Sequence, residues 1–194
     1  MGNRTGMLTG ATGYVGGLVL ERLLDEGWSM RVLVRDASKL EASVRQRVEV
    51  AEGDAESDED LARAMAGAKV AWFLMHSMGG DGDFAKTERS IAEAFAKAAA
   101  GSGVERIVYL GGLHPGEEDL SEHLASRVAV GEILMGSGVP TAAIHAGVVM
   151  GAGSASFDML RTLTERLPAA GGPAWLRNQI QPIDAADVVH YLVA

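Results

Sequence analysis

The sequence predicts an α/β fold in which a doubly wound parallel sheet of about seven strands lies between two layers of helices. Short apolar runs rich in Val, Ile and Leu alternate along the chain with segments of helical period. A glycine-rich turn, GATGYVG, joins the first apolar run to the first helical segment. With 194 residues, 47% of them hydrophobic, the chain can bury a substantial core. We therefore expect one domain spanning residues 1–194.

The strands are predicted where β-branched and aliphatic residues cluster between turn signals. Such clusters lie at Thr5 to Thr9, Met30 to Val34, Val48 to Ala51, Val70 to Met75, Arg106 to Leu110, Thr141 to Val149 and Ile180 to Pro182.

Helices are predicted between these strands. The first ends at Gly27 and has an apolar stripe of Val15, Leu18, Val19 and Leu23. A second runs from about Asp83 to Ala100. A third begins at Asp119, whose carboxylate caps it while Glu122 reaches back.

Composition excludes several function classes. The formal net charge of −9 disfavours nonspecific binding to nucleic acid or to an anionic membrane. The absence of cysteine excludes disulfides, thiolate zinc sites and cysteine nucleophiles. No apolar run reaches the roughly 18 residues of a membrane helix, so we expect a cytoplasmic protein.

A helix begun at Asp184 reaches Ala194 without a cap, which predicts that the chain continues in a longer protein.

The glycine-rich turn predicts a phosphate-binding site, because it follows a strand and opens a helix. Gly10 allows the tight turn, Gly13 lets backbone approach a diphosphate, and Gly16 lets helix and strand pack closely. The amide groups at the helix start carry roughly half a positive charge, which suits an anion. The predicted binding residues here are Gly10, Thr12, Gly13, Tyr14, Val15 and Gly16.

The stretch TGATGYVGG resembles the short-chain dehydrogenase/reductase (SDR) superfamily in its extended and atypical branches. Five further segments resemble the NmrA-like, NAD(P)H-binding members that carry a C-terminal domain of unknown function: FLMHSMGG, RIVYLGGL, HLASRVAVGEIL, GSASFDMLRTLTERLP and QPI followed by DVV. The resemblance implies a Rossmann fold with strand order 3-2-1-4-5-6-7 and a bound nicotinamide coenzyme. It also implies further sequence beyond this point.

The residue at the end of the second strand predicts which coenzyme binds. An NAD site places Asp or Glu there to bind the ribose hydroxyls, whereas this chain places Arg35 first. A guanidinium suits a 2′-phosphate through charge-assisted hydrogen bonds of roughly 1.5 to 3 kcal/mol each. We therefore predict NADP, with NAD as the second choice. The alternative is that Arg35 pairs with Asp36 or Glu21 at the surface.

The segment EGDAES resembles the family's adenine contact, with Asp54 near the amino group of the ring and Ala55 beside its face. The alternative is that Asp54 caps the following helix.

The usual catalytic residues of short-chain reductases are missing from the matching segment. These enzymes use Tyr-x-x-x-Lys after the fifth strand and a serine at that strand's end; here the matching positions hold His123, Arg127 and Gly111-Gly112. His123 and Arg127 are the catalytic candidates. The permanent charge of arginine one helical turn away disfavours a protonated imidazole, which makes His123 a poor acid. The alternative is an exposed structural pair.

The remaining histidines are weaker candidates. The resemblance places His76 and Ser77 beside the nicotinamide ribose, where coenzyme contact is favoured over catalysis. We expect His145 to be buried with a hydrogen bond, and Tyr109 to serve packing. His114 could be drawn into a metal site, but we predict a solvated turn and no metal, because its acidic neighbours follow closely in a polar loop: Glu117, Glu118 and Asp119.

Three functions fit the sequence: an NADPH-dependent oxidoreductase acting on a quinone or carbonyl, an NmrA-type sensor reporting the NADP redox ratio to a protein partner, and an assembly factor with an idle coenzyme. The absence of the Tyr-x-x-x-Lys pair counts against standard carbonyl reduction. The methionine-rich, uncharged MHSMGG loop leaves room for a flat apolar acceptor. The frequency of enzymes in the family that the sequence resembles favours the first function, with a small-molecule substrate.

Overall fold

A computed structural model describes residues 4–75, 84–114, 120–166 and 181–194. The strands are β1 (Thr5–Thr9), β2 (Ser29–Val34), β3 (Glu49–Glu52), β4 (Val70–Phe73), β5 (Arg106–Gly112), β6 (Thr141–Ala146), β7 (Val148–Met150) and β8 (Pro182–Asp184). The α-helices are α1 (Tyr14–Asp25), α2 (Ala42–Arg45), α3 (Asp58–Met65), α4 (Phe84–Ser102), α5 (Glu122–Met135), α6 (Ala155–Arg166) and α7 (Ala185–Val193), and a short 3-10 turn spans Ala37–Lys39.

The central sheet is parallel and has the order β3-β2-β1-β4-β5-β6, which confirms the predicted Rossmann-type α/β fold. The connection reverses direction between β1 and β4. In open parallel sheets a ligand crevice forms at such a reversal, outside the carboxyl ends of the strands. The topology therefore places the candidate site beside the glycine-rich turn.

The expected seventh strand does not extend this sheet in the described part of the chain. The long strand predicted at Thr141 to Val149 divides at Gly147, and β7 instead pairs with β8. A Cβ atom at Gly147 would lie 2.0 Å from the carbonyl oxygen of Gln181. The segment leading into β8 thus crosses directly over Gly147, and the chain leaves the sheet there.

Alternate side chains of the strands fill two separate cores, one on each face of the sheet. Phe73 packs with α3, α4 and α5, where it makes an edge-to-face contact with Phe95. Trp72 packs on the opposite face with α1 and α7, and its indole N–H donates to the carbonyl of Leu192 at 2.8 Å. Each layer of helices is thus held by its own apolar surface.

The helix ends follow local capping chemistry. Gly27 has a φ of +82° and follows the end of α1, as predicted. The predicted cap of α5, Asp119, lies outside the described residues. Ser121 caps this helix by accepting from the amide of Leu124, so α5 begins at Glu122. Within the described ranges, every helix is too short or too polar to cross a lipid bilayer.

Phe95→Ala should lower the free energy of unfolding by about 3–5 kcal/mol, because it leaves a cavity in a fully buried apolar site. Urea denaturation measures this. Met135→Ala is the matched control, since Met135 is exposed and its truncation should change stability by less than about 0.5 kcal/mol. Equal losses in the two variants would contradict the described core.

Candidate coenzyme-binding site

The turn after β1 requires glycine at its first position. Gly10 has a φ of +81°, a region that side chains rarely adopt. A Cβ atom there would also lie 2.4 Å from the carbonyl oxygen of Leu74 on the neighbouring chain segment. Gly10 therefore lets the chain turn sharply against the end of β4.

Gly16 brings the helix onto the strand end. A Cβ atom at Gly16 would lie 2.0 Å from the carbonyl oxygen of Gly10, and the same oxygen accepts the amide of Gly13 at 2.9 Å. The first turn of α1 is thus packed directly on the turn that precedes it. This is the role that the sequence predicts for Gly16.

The start of α1 lacks a side-chain cap. Its N-cap residue is Gly13, and no acidic residue lies in its first turn. By contrast, side-chain oxygens cap α3, α5 and α7 at Ser57, Ser121 and Asp184. The first-turn amides of any helix have no partner within the helix. At α1 they stay available to an anion from outside the chain.

A cleft of about 480 Å³ opens in front of this helix start. It brings together six of the predicted coenzyme-binding residues: Gly10, Thr12, Gly13, Arg35, Asp54 and Ala55. Gly16 and Val15 lie behind them in the first turn of α1. The hydroxyl of Tyr14 instead packs over Gly151, where a Cβ atom would lie 2.4 Å from it.

Arg35 is exposed and lines the cleft without an acidic partner in the described residues. The carboxylate of Asp36 accepts from the hydroxyl and the amide of Ser38, at 2.6 and 2.9 Å. Both hydrogen bonds lower the pKa of Asp36, and the bond from the Ser38 hydroxyl has the larger effect. Among the described residues Arg35 forms no ion pair with Asp36 or with Glu21, so the alternative of a surface pair is wrong.

Lys39 is a second cation on this cleft, and sequence reasoning missed it. The 3-10 turn at Ala37–Lys39, capped by Asp36, brings it back toward the end of β2. The sequence signal was the Asx-type cap D-A-S followed by lysine. The cleft thus carries two cations where only one was predicted.

Asp54 lies in a tight turn after β3. Its carboxylate accepts from the amide of Glu56 at 3.1 Å, and its own amide donates to Asp60 at 2.9 Å. The hydrogen bond from the Asp54 amide, followed by the interaction with Arg63, lowers the pKa of the Asp60 carboxyl. Ser57, not Asp54, caps α3. The alternative interpretation of Asp54 as a helix cap is therefore wrong, and its side chain faces the cleft beside buried Ala55.

Residues 10–137 match the NAD(P)H-binding family. This chain belongs to that family. The shared part runs from the first glycine of the turn to the end of α5. A comparison with curated proteins finds no match.

Solved structures of similar fold include a reductase and an epimerase. Citrobacter sp. triphenylmethane reductase is 25% identical with a TM-score of 0.67, over 83% of this chain and 54% of that one. The same reductase complexed with NADP(H) is 26% identical with a TM-score of 0.61, over 74% and 50%. A Staphylococcus aureus nucleoside-diphosphate-sugar epimerase is 21% identical with a TM-score of 0.69, over 83% and 55%. The chain thus spans about half the length of these proteins.

The two catalytic candidates of this NAD(P)H-binding protein contact each other on α5. Arg127 Nη2 lies 3.3 Å from His123 Nε2, and the imidazole also packs near the ring of Phe84. His123 is exposed, and neither residue lines the cleft. Because arginine can only donate, His123 Nε2 is the acceptor in this pair. The two residues form the i,i+4 pair considered from the sequence, but only His123 is exposed; Arg127 is half-buried, and its Nε is buried without a hydrogen-bond partner among the described residues.

Tyr109 is buried under α5 and packs as predicted. Its hydroxyl donates to the carbonyl of Arg127 at 2.9 Å, and burial raises the pKa of Tyr109 to about 12. It stays protonated at neutral pH and anchors the helix backbone.

The other predicted positions divide between described and undescribed parts of the chain. His145 is exposed, not buried, and its Nδ1 lies 3.1 Å from the carbonyl oxygen of Gly112. It is exposed because β6 is the last strand of the described sheet. His76 and Ser77 lie outside the described residues, as do the acidic neighbours of His114, namely Glu117, Glu118 and Asp119.

Gly16→Ala should lower the free energy of unfolding by about 2 kcal/mol or more, because its methyl group overlaps the Gly10 carbonyl. Gly17→Ala is the matched control in the same helix. A Cβ atom at Gly17 meets only Ala11 O at 3.6 Å, so the better helix propensity of alanine should raise stability by up to about 1 kcal/mol. Urea unfolding of both proteins without coenzyme measures the difference, and similar effects would contradict the close packing of the turn.

Proposed function

We propose that this protein is an NADPH-dependent oxidoreductase of the atypical SDR type. The observation that carries the proposal is a cleft that combines the uncapped start of α1 with two cations, Arg35 and Lys39. In a chain of net charge −9, such a combination favours a ligand with several phosphates.

The coenzyme would be held by different chemistry along its length. The first-turn amides of α1 and the Gly10–Gly13 turn would bind the diphosphate. Asp54 and Ala55 would contact the adenine, and His76 and Ser77 the nicotinamide ribose. Arg35 and Lys39 would hold the 2′-phosphate, and the likeness to a reductase complexed with NADP(H) supports that choice. NAD is the weaker-binding alternative.

The reaction would be hydride transfer to a small molecule without the usual tyrosine. The segment that matches the catalytic helix of short-chain reductases has His123 and Arg127 in place of tyrosine and lysine, and Tyr14 and Tyr109 are each followed by leucine four residues later. An acceptor that needs a hydride but no proton, such as a cationic triphenylmethane dye, tolerates this absence. The likeness to triphenylmethane reductase supports that class, with quinones as the next choice.

Redox sensing without turnover is the second candidate function. It is favoured by the hydrogen bond from Arg127 to His123, which occupies the imidazole nitrogen that a catalytic base would need. A sensor would bind the oxidised and reduced coenzymes with different affinities and report the difference to a protein partner.

Arg35→Asp should weaken NADPH binding roughly 10- to 100-fold more than NADH binding, because only NADPH carries the 2′-phosphate. Fluorescence titration with each reduced coenzyme measures this. Arg45→Asp makes the same charge change at an exposed residue away from the cleft and should leave both affinities nearly unchanged. Equal losses for both coenzymes in Arg35→Asp would overturn the NADP assignment.

The wild-type protein should oxidise NADPH when given at least one acceptor from a panel of crystal violet, menadione and phenanthrenequinone. The loss of nicotinamide absorbance at steady state measures turnover. Tight coenzyme binding with no turnover on any of the three would contradict the enzyme and favour the sensor.

A further inference from the structure

One histidine lies on the carboxyl edge of the sheet in line with the coenzyme cleft. Phe73, Tyr109 and Ala143 pair in register across β4, β5 and β6. Two residues further along, Gly111 pairs in register with His145 on the same face. Met75, two residues past the end of β4, lines the cleft, whereas His145 is not among the lining residues. Neighbouring strands lie about 4.8 Å apart, which puts the backbone of Ala143 about 10 Å from that of Phe73, and His145 lies two residues closer to the carboxyl edge than Ala143.

The ring of His145 leans from β6 across β5, toward the cleft side of the row. Its Nδ1 lies 3.1 Å from the carbonyl oxygen of Gly112, a β5 residue. The same nitrogen would lie 3.4 Å from a Cβ atom at Gly111, an ordinary packing distance, so the ring lies against the backbone of Gly111. The ring of His114 meets it edge-on at 5.3 Å. The imidazole is thus held on two sides.

This contact fixes which nitrogen carries the proton. A carbonyl oxygen only accepts hydrogen bonds, so Nδ1 must be the donor. In the neutral ring Nε2 is then an unprotonated acceptor. No hydrogen bond within the described parts of the chain involves Nε2 of exposed His145, whereas Nε2 of His123 accepts from Arg127.

We propose that His145 is the catalytic residue that exchanges the substrate proton, through Nε2, in the oxidoreductase reaction proposed above, on which this inference rests. In alcohol oxidation the substrate O–H bond breaks and its proton passes to Nε2. The substrate C–H bond breaks as well, and its hydride reduces the oxidised nicotinamide coenzyme. In the reverse direction the imidazolium returns the proton to the carbonyl or quinone oxygen. The substrates that need this residue are hydroxyl compounds and their carbonyl or quinone counterparts, whereas a cationic dye that takes only a hydride does not need it.

Two acceptors separate proton transfer from hydride transfer within one protein. Phenanthrenequinone needs a hydride and a proton, while the cation of crystal violet needs only a hydride. His145→Asn places an amide N–H where Nδ1 donates to the Gly112 carbonyl but cannot exchange a proton. It should reduce kcat for phenanthrenequinone about 100-fold or more and leave the rate with crystal violet and the Kd for NADPH nearly unchanged. His190→Asn removes another exposed imidazole, on α7, and should change none of these.

Chemical rescue and nitrogen NMR give independent readouts. Free imidazole should restore part of the quinone rate in His145→Ala. In the protein without coenzyme, nitrogen NMR should show His145 protonated at Nδ1 and unprotonated at Nε2 in its neutral form. The opposite tautomer would overturn the proposal.

The kinetic outcomes also separate this inference from the proposed function. A wild-type protein that turns over no acceptor would overturn both. A quinone rate in His145→Asn within twofold of wild type, or equal losses with quinone and dye, would overturn only the role of His145. Quinone activity lost alone, with dye activity or coenzyme affinity kept, would support it.

Discussion

The close approach of Gly16 to the carbonyl of Gly10 is the constraint on which the candidate site depends. Because no side chain separates them, α1 begins directly at the carboxyl end of β1. The first-turn amides then face the crevice created by the reversal of strand order between β1 and β4. The two apolar cores hold the helices of each layer against the sheet and so keep this geometry in place.

The cleft carries positive charge, although the chain as a whole has a net charge of −9. Many of the basic side chains are committed to surface ion pairs, such as Arg22 with Glu26 and Arg47 with Asp25. Arg35 forms no such pair among the described residues, and the neighbouring Asp36 accepts two hydrogen bonds from Ser38 instead. The positive end of a helix and two cations therefore concentrate in one place, which suits a small polyanion more than an extended one.

Much of the fold was predictable from sequence, because glycine spacing and apolar runs report on backbone geometry within short segments. The β1–α1 turn and the central strand order are examples. Features that depend on distant contacts were not: the strand predicted at Thr141 to Val149 divides at Gly147, where the carbonyl of the distant Gln181 approaches the backbone. Lys39 joins the cleft through a 3-10 turn that has no apolar period, and the exposure of His145 depends on its strand lying last in the described sheet.

Calorimetry of NADP binding to a pair of Thr12 variants tests the central claim most directly. Thr12 is exposed and lines the cleft at the start of α1, so Thr12→Gln and Thr12→Glu differ mainly in one negative charge. If the helix start binds the diphosphate, the Gln variant should bind within a few-fold of wild type and the Glu variant at least about tenfold more weakly, or 1.4 kcal/mol. Equal affinities for the two variants, or no heat of binding in the wild type, would contradict the account.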